Sequence, residues 1–147
     1  MQRIRFRHEP PSNGWLPLQL DALGQSVRID ASDVPNNPVQ ELVEALDMAA
    51  SGTPSYVWWH LEPDGYFMHF MPIKEEVEFK LHFAPGSERS RSQEVLSTTG
   101  SQVEILLPFW RFLREFQSHS YAEPHWTTVN YDRILAIGAL IGGTSDA

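Results

Sequence analysis

The chain has 147 residues, 41% of them hydrophobic and 12% aromatic, which suffices for a single folded domain over 1–147 with a real core. Eleven Lys and Arg against 19 Asp and Glu give a net charge of -8, which repels phosphate backbones and anionic lipid and argues against nucleic-acid and membrane partners. Cysteine is absent, which excludes disulfides, zinc-thiolate sites and cysteine nucleophiles.

The start, Met1-Gln2-Arg3-Ile4-Arg5, lacks the apolar core of a signal peptide, and no apolar run reaches the length of a membrane span. The expectation is a soluble, cytoplasmic protein. Residues 3 to 7 alternate arginine with Ile4 and Phe6, as in a half-buried edge strand protected by its charged outer side. After the loop Pro10 to Gly14, the runs Trp15 to Leu20 and Val27 to Ile29 flank Asp21 to Gln25 and predict a hairpin.

The first helix has the clearest signals. Asn37 suits the N-cap, Pro38 the first helical position and Gln40 the third, and Val39, Leu42, Val43, Leu46, Ala49 and Ala50 form one apolar stripe that ends at Ser51-Gly52. Glu41, Glu44 and Asp47 fall on its polar side, which reads as a solvated face.

The aromatic runs 56–61 and 66–71 flank Glu62-Pro63-Asp64-Gly65, which predicts a hairpin with a three-residue loop and Gly65 in the left-handed region. That loop sets Glu62 opposite Tyr66 and Leu61 opposite Phe67. One face then carries Tyr56, Trp58, His60, Tyr66, Met68 and Phe70. A further hairpin with its tip at Lys74-Glu75 adds Val77, Phe79, Leu81 and Phe83 to that face, which is expected to be the core. The other face gathers Val57, Trp59, Leu61, Phe67, His69, Met71, Glu78, Lys80 and His82. Large apolar side chains among a few charges are typical of an interface, so Trp59, Leu61, Phe67, Met71, His69, Lys80 and His82 are the candidate partner-binding residues. The bland alternative is a plain wet sheet surface.

Residues 84 to 93 read as a polar loop and Glu94 to Thr98 as one more strand. Ser101 with Glu104 makes a capping box before the helical spacing of Ile105, Leu106, Phe109, Phe112, Leu113 and Phe116. Pro108 predicts a kink or a late start for this helix, and Trp110 lies off its main stripe. Residues 121 to 129 read as irregular. Asn130 caps a last apolar helix, Tyr131 to about Ile141, which is packed on two sides or shared with another subunit.

These elements sum to an α+β fold: an antiparallel sheet of five to six strands built from hairpins, with two to three helices mainly on one face. Over Glu41 to Leu140, the capped helix, Ser51-Gly52, the Trp58-Trp59 strand, Glu62-Pro63, the aromatic strand and the alternating charged strand together resemble a group of small uncharacterised bacterial proteins. The resemblance implies no catalytic residue and no substrate. Small acidic α+β domains also include immunity proteins that neutralise toxins, an analogy of size and class.

Chemistry is weakly signalled. His69, His82 and Glu78 share the outer face and are the candidate metal ligands, weighed against amphipathic rings covering a half-exposed sheet. His60 is read as a core histidine, and His125 as an exposed loop residue. There is no nucleophile elbow, phosphate loop or dinucleotide fingerprint, and no cofactor is expected. The leading expectation is a protein–protein module that contacts a basic partner or a second copy of itself. The alternative is a small-ligand binder or hydrolase with His60, Glu62 or Tyr66 at the mouth of a cleft.

Overall fold

The computed structural model describes residues 4–10, 14–32, 37–118 and 131–145. Asn130, the run 121–129 with His125, and most of the loop before Gly14 lie outside the described residues, so those expectations stay as stated. In chain order the elements are β1 (Arg5–His8), β2 (Trp15–Ala22), β3 (Gln25–Ser32), α1 (Pro38–Ala50), β4 (Ser55–His60), β5 (Gly65–Ile73), β6 (Glu76–Ala84), β7 (Gln93–Ser101), α2 (Gln102–Ser118) and α3 (Tyr131–Ser145). Two single 3₁₀ turns, Pro85–Ser87 and Arg89–Arg91, lie between β6 and β7.

The class is α+β, but the strands form two antiparallel sheets rather than one of five to six strands. One has the order β1-β2-β3 and the other β4-β5-β6-β7. The chain leaves β3 through α1 before it starts β4, so the two hairpin systems are separate ladders joined by a shared core. In that core Phe6 of β1 meets Trp59 of β4 at 5.7 Å and Phe109 and Phe112 of α2 at 5.2 and 4.7 Å. Phe109 also packs on Phe70 and Phe79, at 5.2 Å in each case, and so ties α2 to the larger sheet.

Both capping expectations hold at the atomic level. The Asn37 side chain accepts from the backbone N–H groups of Val39 and Gln40. Ser101 N–H donates to Glu104 Oε1 at 2.9 Å while Glu104 N–H donates to Ser101 Oγ at 3.1 Å, a complete reciprocal box. Helix α2 therefore starts at Gln102, not at Pro108, which sits inside it. An interior proline costs about 3 kcal/mol. Six apolar side chains of α2, from Ile105 to Phe116, are buried, and each contributes about 1.5–3 kcal/mol, so the helix continues through the proline. In α3, Ile134, Ile137 and Ile141 are buried, whereas Leu135 and Leu140 face outward.

The hairpin β4–β5 departs from expectation in register. Its loop has four residues, Leu61 to Asp64, with a cis Glu62-Pro63 bond, and His60 pairs with Gly65. Phe67 lies opposite Trp58, three residues from the expected Leu61. An odd shift turns every side chain of the strand to the other face. Val57 and Trp59 therefore join the core with Met68, Phe70, Phe79 and Leu81, while Tyr56, Trp58 and His60 go to the outer face. Gly65 keeps an extended backbone. A β-carbon there would lie 1.8 Å from Trp58 Cη2, so the glycine makes room for the Trp58 ring. The turn at Lys74-Glu75 and the placement of β5 and β6 agree with the sequence reading.

Candidate functional site

The outer face of the β4–β7 sheet carries Phe67, His69, Met71, Lys80 and His82, the face expected for them, but Phe67 is 5% exposed, covered there by Trp58 and Arg89. Trp59 and Leu61 are corrected. Trp59 is 0% exposed and lies in the core, and Leu61 is half-buried against that core at the start of the hairpin loop. Their places on the outer face are taken by Tyr56 and Trp58. This reversal removes Trp59 from any contact surface and gives the face a different aromatic centre.

That centre is Phe67. The Trp58 ring stacks on it at 4.2 Å with an interplanar angle of 24°. Tyr56 lies 6.4 Å away, and the Arg89 guanidinium sits over both rings, 4.5 Å from the Tyr56 centroid and 4.9 Å from that of Phe67. Arg89 reaches them because the segment after β6 folds back over the sheet. Gly86 N–H donates to Asp64 Oδ1 at 2.9 Å, and Ser87 Oγ donates to the Pro63 carbonyl. This segment was expected to be a loose polar loop; its arginine instead forms one side of the site.

Helix α1 forms the opposite side. Strand β4 is an edge strand, so alternate backbone groups point away from the sheet. Glu41 Oε1 accepts from the Trp58 backbone N–H at 3.1 Å, and Ser55 Oγ donates to the Ala45 carbonyl at 2.7 Å. The side of α1 read as merely solvated thus borders the sheet edge. Between the helix and the outer face runs an open groove of about 600 Å³ lined by Glu41, Glu44, Met48, Tyr56, Trp58, Phe67 and Arg89. Among these, the sequence reading singled out Phe67 alone as a binding residue.

Beyond Phe67 the face becomes polar. The rings of His69 and His82 are 5.1 Å apart, and His82 Nδ1 lies 3.4 Å from Ser92 Oγ. Lys80 pairs with Glu94 at 3.5 Å and reaches Glu78 at 4.0 Å. Lysine thus occupies the carboxylate considered as a third metal ligand. Among the described residues no three His, Cys, Asp or Glu side chains are placed to hold a metal ion.

Burial pushes the His69 imidazole below its ordinary pKa of 6.5, and the neighbouring His82, Arg89 and Lys80 push in the same direction. Below pH 6.5 the unfolded chain takes up this proton before the folded one does, so stability falls as pH drops from 6.5 toward the lowered native value. We expect the denaturation midpoint to decline over that interval and His69→Gln to remove part of the decline. A variant with the wild-type slope would assign the effect to other groups.

The residues proposed for an enzymatic cleft do not converge. His60 lies on the outer face, Tyr66 on the core face against Phe83 at 5.3 Å, and Glu62 in the exposed hairpin loop. Among the described residues no helix is long and apolar enough to cross a membrane.

No family model and no curated protein matches the chain. A chain of a solved structure, the CdiA-CT/CdiI toxin and immunity complex from Enterobacter cloacae, is similar at 8% identity and a TM-score of 0.46, covering 78% of this chain and 99% of that one. Likeness at this level establishes neither a shared fold nor a shared partner.

Proposed function

We propose that the protein works by binding another protein through the outer face of the β4–β7 sheet and the adjoining groove under α1. The observation that carries this reading is the exposure of large apolar side chains on a sheet face whose opposite side is already closed. Tyr56 is 50% exposed, Met71 42% and Ile73 49%, while Met68, Phe70, Phe79 and Leu81 on the core side are fully buried. Three such side chains on one face form an apolar patch that gains free energy when a partner covers it. A net charge of -8 favours a basic partner through long-range attraction. A bacterial, cytoplasmic setting and an immunity-like role belong to the same proposal.

The test is affinity capture from a host-cell lysate with the wild type, Met71→Glu and the control Trp15→Ser, whose side chain is exposed on the other sheet. One stoichiometric protein retained by the wild type and Trp15→Ser, but lost by Met71→Glu, is the expected result. Light scattering on the same samples identifies self-association, which Met71→Glu would also abolish. Capture that survives Met71→Glu, or a monomer that captures nothing, overturns the reading.

A further inference from the structure

The groove has chemistry of its own, and Arg89 displays it. A guanidinium lying over the faces of Tyr56 and Phe67 is held by the negative faces of the two rings. Arg89 makes no ion pair with a carboxylate among the described residues. Across the groove α1 presents Glu41 and Glu44. An aromatic floor beside an acidic wall is the combination that recognises an organic cation, and the planar, weakly hydrated guanidinium suits it better than a compact ammonium does. The face beyond Phe67 carries His69, Lys80 and His82, whereas Glu41 and Glu44 line the groove on the α1 side, so a cationic group is favoured there.

We infer that the groove is a receptor for an arginine side chain presented by a basic partner protein, and that Arg89 is an internal occupant which the partner's arginine displaces. The inference rests on the docking reading above and specifies what the partner brings. Arg89 is exposed and leaves from a single 3₁₀ turn, so it can swing out without disturbing β6 or β7. While it occupies the rings, it competes with any incoming guanidinium. The affinity measured for a partner is then reduced by the fraction of molecules in which the site is already filled.

The probe is a capped Gly-Arg-Gly peptide, with the citrulline peptide as its neutral isostere, titrated while the indole N–H resonance of Trp58 is followed. The arginine peptide is expected to shift that resonance and the citrulline peptide to leave it in place. Arg89→Ala is expected to tighten binding about three- to sixfold, by removing a competitor held by an exposed cation–π contact. Glu44→Gln should weaken it about two- to fivefold through loss of one exposed charge pair. Equal binding of the citrulline peptide, or unchanged or weaker binding in Arg89→Ala, overturns the inference. The two proposals fail separately. Partner capture that is lost in Met71→Glu, with no response of Trp58 to the arginine peptide, removes the receptor and leaves the docking face. Capture that is indifferent to Met71→Glu, with the peptide behaving as expected, removes the docking face and leaves the receptor.

Discussion

Trp59→Ala is expected to destabilise the fold by about 3–5 kcal/mol, the range for truncating a buried aromatic. That is a large fraction of the 5–15 kcal/mol by which a domain is ordinarily stable. The side chain is fully buried, and its ring meets Phe6, which in turn is held by Phe109 and Phe112. Truncation therefore opens a void where both sheets and α2 meet. The indole N–H has no hydrogen-bond partner among the described residues, so its removal recovers some desolvation cost and sets the expectation at the lower end of the range. Tyr56→Ala, three residues away on the opposite face and half-exposed, should cost no more than about 1 kcal/mol, the worth of its exposed cation–π contact with Arg89. Urea denaturation of the two variants checks the register of β4 directly. Equal stabilities would mean that Trp59 is not in the core.

The same comparison explains how far the fold could be read from residues alone. Caps are local chemistry, and Asn37, Ser101 and Glu104 behave as their positions predict. Register in β5–β6 was also legible, because Glu76, Glu78, Lys80 and His82 alternate with Val77, Phe79, Leu81 and Phe83, and one of those sets cannot be buried. Strand β4 lacks that contrast. Tyr56, Trp58 and His60 are no more polar as a set than Val57, Trp59 and Leu61, so the pattern cannot choose a face. Only the loop length could decide it, and Pro63-Asp64-Gly65 points to three residues where the chain uses four. The reason for Gly65 lies in its neighbour Trp58, which fills the space a β-carbon would take. Contacts of that kind, like Glu41 on the Trp58 N–H and Arg89 on Tyr56 and Phe67, join residues far apart in the chain and leave no periodic trace. The docking face was thus legible in β5 and β6, and the groove beside it was not.

Gly138→Ala should lower stability by about 1–3 kcal/mol, the usual cost of forcing extra volume into a packed seam. In an ordinary helix the same change is favourable by about 1 kcal/mol, because alanine has the higher helix propensity. The sign reverses here because a β-carbon on Gly138 of α3 would lie 2.3 Å from Trp110 Cζ2 and 2.7 Å from its Nε1. The ring is not free to yield. Trp110 Nε1–H donates to the Ile134 carbonyl at 2.7 Å, one turn earlier in α3, and Arg114 lies over the ring at 5.4 Å. Trp110, which lies off the main apolar stripe of α2, therefore closes the seam between α2 and α3. The pair can be isolated by a double-mutant cycle. In a Trp110→Ala background the clash is gone, and Gly138→Ala should recover its ordinary propensity gain of up to about 1 kcal/mol. A stabilising Gly138→Ala in the wild-type background would instead mean that α3 does not rest on Trp110.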